Sequence, residues 1–260
     1  MLLAAYADNE ILSGINSQLV AQLLAGTLPL IEADAQLVLD HPDKARGLTR
    51  DQTGETSAFL QRMVSSAKEE VLIVSPYFVP QRQGVDFLTS LVRKGVRVVV
   101  ITNSLASTNH ASVHAVYSRY RKPLLRQGIE LYELRPRLGR QDLTLAEKHD
   151  RKLTLHSKLV VTDREKVFVG SFNLDPRSLY INTEMGMAVT SEQLAADFSD
   201  SLGGSLQNYA YSLRLSKTGA LRWKNLTSNG NRVVRKEPHT SIWRRTLTRL
   251  MSLLPIESQM

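Results

Sequence analysis

Short apolar runs that alternate with helical patterns are the feature that most constrains the fold of this chain. Residues 71–74, 96–101 and 129–134 are rich in Val, Ile and Leu, which is typical of strands buried on both faces. Between the first two runs, residues 85–92 carry apolar side chains at helical spacing. Strands that alternate with helices indicate an α/β fold in which helices cover both faces of a largely parallel sheet.

Further segments extend this alternating pattern towards the C-terminus. Helices are predicted over residues 109–127 and over residues 191–209, each preceded or begun by a residue that can cap a helix. We expect a polar, basic loop at residues 136–152 and a loop or extended connector at residues 225–234.

The most informative stretch of the chain begins with a predicted strand over residues 153–162. His156 and Lys158 stand at positions i and i+2 of this strand. Because side chains alternate between the two faces of a strand, the imidazole and the ammonium group project from the same face.

A hairpin is predicted to return the chain to His156. Residues 163–166 have the charged composition of a turn, and residues 167–169 form a second short strand. This hairpin makes the predicted sheet mixed, and it brings Ser171 and Asn173 back beside His156.

These residue types are the ones that break a phosphodiester bond without a metal. A neutral imidazole such as that of His156 can attack phosphorus and form a phosphohistidine, which divides one difficult displacement into two easier ones. Lys158, Ser171 and Asn173 can hold the phosphate oxygens and stabilise their charge in the transition state. A second histidine must protonate the leaving alcohol, and Glu184 is a candidate to hydrogen-bond an imidazole and fix its tautomer.

The spacing of these residues resembles the HKD signature of the phospholipase D superfamily. In this chain the signature consists of His156, Lys158, Asp163, Gly170, Ser171 and Asn173. Residues 75–80 are similar to the loop after the first strand of a C-terminal phospholipase D domain, and residues 28–44 are similar to the connector between the two halves of such enzymes. Residues 253–258 are similar to the end of bacterial cardiolipin synthases of the C type, so the resemblance covers nearly the whole chain.

The resemblance implies a phosphatidyltransferase that acts on a phosphatidylglycerol-like phospholipid through a phosphohistidine. His156 is then either the nucleophile or the partnering acid or base, and the sequence leaves these two roles open. Asp163 belongs to the catalytic motif, but we expect it to have a structural role, such as pairing with a nearby cation. We expect Gly170 to be required sterically, because a side chain there would crowd the motif strands.

Only one such motif is present, whereas most enzymes of this superfamily carry two in one chain. None of the five other histidines is followed two residues later by lysine. The chain therefore resembles the C-terminal half of a larger enzyme. Either it pairs with a second motif-bearing half, for example by forming a homodimer, or it is inactive alone.

Composition limits the remaining possibilities. An apolar share of 42% is sufficient for the core of a globular domain, and the lack of cysteine excludes disulfides and thiolate metal sites. No His, Asp and Glu cluster has ligand spacing, so we expect neither a metal nor another cofactor. No apolar run approaches the length of a membrane span.

The net charge is localised in the last segment of the chain. From residue 214 to the end there are ten Lys or Arg and two acidic residues, which accounts for the whole formal excess of +8. Both tryptophans lie in this segment too. Basic residues with aromatic neighbours suit an anionic membrane surface or a nucleic acid.

Residues 240–254 form a basic amphipathic helix in this prediction. Its apolar side consists of Trp243, Leu247, Leu250, Met251 and Leu254. Either this side packs on its own domain and leaves the basic face in solvent, or it lies on a membrane surface.

Three regions and three functions follow from these patterns. We expect a connector at residues 1–48, a phospholipase D-like domain at 49–213 and a basic tail at 214–260. The favoured function is phosphatidyl transfer by a cytoplasmic protein that is peripherally associated with the inner membrane. The alternatives are a nuclease of the same superfamily and a non-catalytic fragment that binds a partner or a membrane.

Overall fold

The computed structural model describes residues 17–27, 30–47, 53–137, 153–227 and 230–257. Residues 1–33 form a unit of their own, and its described helix is α1 (Ser17–Leu24). Most of the loop predicted at residues 136–152 lies outside the described residues, as does part of the segment 28–44.

One mixed sheet organises the second unit, residues 34–260. Its strands are β1 (Asp34–Leu39), β2 (Glu70–Val74), β3 (Arg97–Asn103), β4 (Glu130–Leu134), β5 (Leu159–Thr162), β6 (Lys166–Gly170), β7 (Met185–Thr190), β8 (Ala210–Leu215), β9 (Leu221–Thr227) and β10 (Gly230–Val234). Their order across the ten-stranded sheet is β1-β7-β6-β5-β2-β3-β4-β8-β9-β10.

Helices lie between many of these strands. They are α2 (Glu55–Ser65), α3 (Gln81–Arg93), α4 (Ala111–Ser118), α5 (Arg121–Arg126), α6 (Pro176–Tyr180), α7 (Glu192–Tyr209) and α8 (Ile242–Met251). The predicted helix over residues 191–209 is confirmed as α7, with the Ser191 hydroxyl accepting a hydrogen bond from the Leu194 amide as its cap.

The predicted α/β fold with a mixed sheet is confirmed, but its parallel part is narrower than expected. Only the pairs β2–β3 and β3–β4 are parallel among the described strands, and the other seven neighbouring pairs are antiparallel. Helical crossovers through α3 and through α4 and α5 link the parallel strands, whereas several of the remaining neighbours are joined by short turns that favour antiparallel pairing.

Two apolar layers lie on opposite faces of the sheet. Val71 and Ile73 belong to the layer that includes residues of α2, α3 and α5, whereas Leu72 and Val74 belong to the layer that includes residues of α7. This alternation along β2 follows the two-residue period of a strand, and it confirms that helices cover both faces of the sheet.

One predicted helix and one predicted connector differ from the structure. The helix predicted over residues 109–127 is divided into α4 and α5, because Pro123 has no N–H to bond the carbonyl of Arg119 and its ring crowds that group. The connector predicted at residues 225–234 is wrong, since most of this segment belongs to the antiparallel pair β9 and β10.

The strand predicted over residues 153–162 is shorter than expected and begins at Leu159. Its partner β2 ends at Val74, which pairs with Leu159, and the chain then turns away at Pro76. Residues 153–158 therefore have no neighbouring strand on that side. The hairpin itself is confirmed, because β5 and β6 are antiparallel with Leu159 opposite Val169.

The sheet crosses both of the predicted domain boundaries. Strand β1 lies before residue 48 and pairs with β7, and strands β9 and β10 lie beyond residue 213 and extend the sheet from β8. The regions predicted as a connector and a basic tail thus contribute strands to the same sheet as the motif.

Candidate active site

The motif residues other than Asp163 collect at one edge of the sheet. At this edge β2 and β3 end, β5 begins, β6 ends and β7 begins. His156 is exposed on the extended segment before β5, and Lys158 is partly buried beside the strand. Because five strand ends meet here, side chains from distant parts of the sequence can act on one ligand.

Lys158 points its ammonium group at neighbouring oxygen atoms. Its Nζ atom donates to the backbone carbonyl of His156 at 2.9 Å. Burial lowers the pKa of Lys158, and the nearby carboxylates of Glu184 and Asp175 partly oppose that shift. The group is thus a cation held between the histidine segment and a pair of buried acids.

Ser171 and Glu184 form the second part of the site. The Ser171 hydroxyl donates to Glu184 Oε2, and it accepts from the Met185 amide at 3.0 Å. The Ser171 amide donates to the Met185 carbonyl at 2.9 Å, which fixes the loop after β6 against the start of β7. In this structure the Glu184 carboxylate therefore orients a hydroxyl group, and its predicted hydrogen bond to a histidine stays a prediction.

Helix α6 and the residue that caps it hold these residues in place through hydrogen bonds. The Ser178 hydroxyl donates to Glu184 Oε1 at 2.8 Å, and the Ser178 Oγ atom accepts from the backbone amide of Asn173 at 3.2 Å. Asp175 caps the helix, because its Oδ1 atom accepts from the Ser178 amide at 2.8 Å. Glu184, Ser178 and Asp175 form one buried network. It binds the Ser171 hydroxyl and the Asn173 backbone amide, which sets the position of Asn173 relative to Ser171.

A buried ion pair stands behind this network. Lys44 Nζ lies 2.6 Å from Asp40 Oδ2 and also donates to the Ser178 carbonyl at 2.7 Å. Asp40 accepts from the backbone amides of Thr56 and Glu184 at 2.8 and 3.0 Å. Burial raises the pKa of Asp40, but Lys44 and the two amides outweigh it and hold the pKa below its usual value. The ion pair ties the segment after β1 to the loop that carries Glu184.

The close approach of strands β6 and β7 depends on Gly170. A Cβ atom at this position would stand 2.3 Å from the Met185 carbonyl oxygen and 2.7 Å from the Gly186 Cα. Both are backbone atoms and cannot move aside as a flexible side chain can. A steric role for Gly170 is thus present in the geometry, but the strand that a side chain would crowd is β7 and not the other motif strand β5.

Asp163 lies at the opposite end of the hairpin from Lys158 and is not part of the cluster. Strand β5 separates the two residues, a length of about 13 Å. The Asp163 carboxylate accepts from the backbone amides of Lys68, Glu69 and Glu70 at 2.8 to 3.1 Å. Its main partners are amides and not the cation that we expected, so the structure places Asp163 as a backbone anchor away from the cluster.

Sequence reasoning missed the residues that support the motif from elsewhere. Asp175, Ser178, Asp40 and Lys44 belong to this group, and so does Asn103, which is described below. An acidic residue followed by proline, as in residues 175–176, is a sequence signal for a helix start. Nothing local to the other four marks them as neighbours of the motif.

Helix α8 presents a further surface that can bear on function. Trp243, Leu247 and Leu250 are 84%, 58% and 58% exposed. The helix packs against α4 with its other side, where Thr248 is buried and Arg244 donates to the Thr108 carbonyl at 3.3 Å. Packing of the apolar side on the domain, one of the two expectations for this helix, is therefore wrong.

Neither a metal cluster nor a membrane span occurs within the part of the chain that the structure describes. No three His, Asp or Glu side chains there are grouped so that they could hold a metal ion. No helix there combines the length and the apolar composition that crossing a bilayer requires.

Comparison with known proteins places these features in a family context. The family model described as "Cardiolipin synthase, PLD-like domain" matches residues 60–204. Cardiolipin synthase C of Escherichia coli (strain K12) is 43% identical over 251 residues, which cover 93% of this chain and 51% of that protein. Cardiolipin synthase A of Pseudomonas aeruginosa (strain PAO1) is 32% identical over 63% of this chain and 31% of its own length. The chain thus spans about half or less of the relatives that it matches.

Solved structures show the same fold at low sequence identity. Nuc from Salmonella typhimurium, titled a phospholipase D family member, is matched with a TM-score of 0.50 and 16% identity, over 70% of this chain and 99% of that one. Phosphatidylserine synthase of Haemophilus influenzae Rd KW20 is matched with a TM-score of 0.51 and 16% identity, over 72% of this chain and 41% of that one.

Proposed function

Because the chain belongs to the phospholipase D-like family of the cardiolipin synthases, we propose that it supplies one catalytic half of a phosphatidyltransferase. The observation that carries this proposal is the cluster at the sheet edge, where His156, Lys158, Ser171 and Asn173 come from two sides of one hairpin. The substrate is a phosphatidylglycerol-like phospholipid, in line with the names of the relatives.

The reaction needs two displacements at phosphorus. In the first, an imidazole nitrogen forms a bond to phosphorus while the bond to the head-group oxygen breaks, and the leaving alcohol takes a proton from a second histidine. In the second, the hydroxyl of an acceptor lipid or of water gives its proton back to that histidine, attacks phosphorus and releases the first imidazole. His156 is one of these two histidines, and the second must come from another motif.

The phosphate oxygens would lie among Lys158, Ser171 and Asn173. The ammonium group of Lys158 compensates their negative charge, and burial of the lysine strengthens that attraction because the local dielectric is low. Glu184 holds the Ser171 hydroxyl, and we propose that in the assembled site it also orients an imidazole. The proposed chemistry uses neither a metal nor another cofactor.

A second motif-bearing half is required, and the sheet offers a surface for it. Leu37, Leu39, Val169, Met185 and Met187 are between 37% and 53% exposed. The register places Leu37 and Val169 on either side of Met187, and Leu39 beside Met185, so these five side chains form one apolar stripe on β1, β7 and β6.

The position of this apolar stripe favours a second half as its occupant. Met185 also receives the hydrogen bond from the Ser171 amide, so a protein that covers the stripe lies directly beside the site. The relatives have about twice the length of this chain, which leaves room for a second half of similar size. A second copy of this chain can take that place.

An anionic membrane surface is the partner proposed for α8. Its apolar side is exposed, and the basic segment around it supplies positive charge. Both acidic residues of that segment pair with arginines outside it, Glu237 with Arg121 and Glu257 with Arg119. The ten basic residues of the segment are thus not neutralised by its own acids, which suits peripheral binding to anionic lipid.

The proposed function is tested by replacing His156 with asparagine. With vesicles made of phosphatidylglycerol as substrate, the unchanged protein should produce cardiolipin and release free glycerol. The rate of this reaction should fall by a factor of at least about 10³ in His156→Asn, because the nucleophile or its partner is lost. His239→Asn is the matched control, since His239 is exposed and has a φ of 53° that asparagine tolerates. Undiminished turnover in His156→Asn would contradict the proposal.

A further inference from the structure

The segment that carries His156 lacks the support of a regular strand. Residues 153–158 precede β5, and their neighbour on one side has ended at Val74. Two backbone hydrogen bonds hold the ends of the segment, from Leu153 to the Pro136 carbonyl at 2.8 Å and from Gly170 to the Lys158 carbonyl at 3.2 Å. The middle of the segment needs another tie if the imidazole is to keep one position.

Asn103 provides that tie from the end of β3. Its Oδ1 atom accepts from the Leu155 amide at 2.9 Å, and its Nδ2 atom donates to the Leu155 carbonyl at 3.1 Å. The amide side chain thus copies the two hydrogen bonds that a neighbouring strand would make to one residue. Leu155 directly precedes His156, so fixing both of its backbone polar groups limits where the histidine can lie.

The surroundings keep the Asn103 amide in a single orientation. The side chain is buried, its Oδ1 atom also accepts from the Ser107 hydroxyl at 3.0 Å, and its Nδ2 atom is 3.4 Å from the Pro76 carbonyl. The Ser107 carbonyl in turn accepts from the Thr154 hydroxyl at 2.9 Å. The turn after β3 and the histidine segment are therefore connected at two successive residues.

We propose that Asn103 is a positioning residue for the reaction, which holds His156 in place through the backbone of Leu155. This inference rests on the proposed function for its kinetic consequence, because it assumes that His156 reacts. Its geometric part is independent of that assumption. A fixed imidazole lowers the entropic cost of reaching the reacting geometry, and displacement by about 1 Å can lower a rate by about 10²-fold.

The test compares Asn103→Ala and Asn103→Asp with Asn109→Ala in the full chain. Aspartate keeps the acceptor for the Leu155 amide but places a second oxygen against the Leu155 carbonyl, so both Asn103 variants should weaken the tie. Asn109 lies in the loop that follows β3, is exposed and accepts from the Tyr77 hydroxyl, so its loss should leave residues 153–158 unchanged.

Two measurements give separate answers. By amide hydrogen exchange, Leu155 should exchange at least about tenfold faster in both Asn103 variants than in the unchanged protein, while amides of β2 and β3 stay protected. With vesicles of phosphatidylglycerol, kcat should fall about 10²-fold with KM within about twofold, because binding groups are untouched. The Asn109→Ala variant should match the unchanged protein in both measurements.

Two results would overturn the inference. One is unchanged exchange at Leu155 in Asn103→Ala, which would show that the amide does not hold the segment. The other is faster exchange at Leu155 with an unchanged kcat, which would show that the tie does not serve the reaction. If the unchanged protein lacked turnover, the proposed function would fail for this chain alone, and exchange at Leu155 would still decide whether Asn103 holds the histidine segment.

Discussion

At the scale of single residues, Gly170 shows how a missing side chain shapes the site. Because Gly170 has no Cβ atom, the carbonyl of Met185 can occupy that space. Strands β6 and β7 thus approach closely enough for Ser171 to reach Glu184. The motif spacing was sufficient to predict a steric role for Gly170, and it predicted His156, Lys158, Ser171 and Asn173 as candidate site residues. Asn103 could not be predicted in the same way, because its partner Leu155 is 52 residues away in the sequence.

Gly170→Ala is expected to lower the free energy of unfolding by about 2 kcal/mol, since the added carbon overlaps backbone atoms that must shift. Urea unfolding followed by circular dichroism measures this change. Gly203→Ala is the matched control, because nothing lies within 4 Å of a Cβ atom there and the residue is inside α7. It should raise the stability by about 0.5 to 1 kcal/mol. Equal effects of the two substitutions would contradict the steric explanation.

Asp163→Asn is expected to lower the free energy of unfolding at pH 7 by about 2 kcal/mol, because a charged acceptor of three backbone amides is replaced by a neutral one. Burial raises the pKa of Asp163, but the amides of Glu70, Glu69 and Lys68 outweigh it and hold the pKa below the ordinary value of 3.8. The native state thus releases the proton more readily than the unfolded chain.

The pH dependence of this difference follows from the lowered pKa. The stabilisation by Asp163 is fully present above the unfolded-state pKa and is lost as the pH falls through the native-state pKa. The gap between the unchanged protein and Asp163→Asn should therefore narrow below about pH 4. Urea titrations at pH 7, 5 and 3.5 check this expectation, and a gap that is the same at all three pH values would argue against it.

At the scale of elements, sequence patterns predicted a helix or strand correctly where it depends on local residues, and they failed where it depends on a partner strand elsewhere in the sheet. The apolar runs at β2, β3 and β4 and the cap of α7 were predicted correctly, because burial and capping act locally. The start of β5 was not, because it depends on where β2 ends in space. The strands β9 and β10 were missed because residues 225–234 are mostly polar, although they pair as a hairpin at the end of the sheet.

Helix α8 gives a prediction at this scale. The double substitution Leu247→Glu and Leu250→Glu should weaken binding to vesicles that contain phosphatidylglycerol by at least about tenfold, because two exposed apolar side chains no longer enter the lipid. Vesicle flotation at several salt concentrations measures it, and binding by the unchanged protein should weaken as salt rises. Val233→Glu, an exposed apolar position on β10, is the control. Undiminished binding by the double variant would rule out α8 as the membrane contact.

At the scale of the whole molecule, two exposed apolar surfaces point to two partners. The apolar stripe on β1, β7 and β6 is proposed to receive a second motif-bearing half, and α8 is proposed to meet lipid. The chain covers about half of the length of its relative cardiolipin synthase C. The single motif predicted a missing half, because one histidine cannot serve as both nucleophile and acid in one displacement. The surface that we propose for the second half could not be predicted, since it depends on the pairing of β1 with β7, which are far apart in the sequence.

Met187→Glu is expected to weaken self-association of the chain by at least about tenfold, because it places a charge in the middle of the apolar stripe. Sedimentation velocity over a range of concentrations measures the association. Leu247→Glu on α8 removes an equally apolar side chain from the other surface and should leave self-association unchanged. The proposed role of the stripe would be disproved by Met187→Glu chains that associate as the unchanged chains do.

The most direct test of the central claim is the dependence of transphosphatidylation on the concentration of this chain. On vesicles of phosphatidylglycerol, the rate of cardiolipin formation per chain should rise with chain concentration and should be lost in His156→Asn, since we propose that two motif-bearing halves complete one site. A rate per chain that is constant across concentrations, or one that His156→Asn retains, would contradict the account.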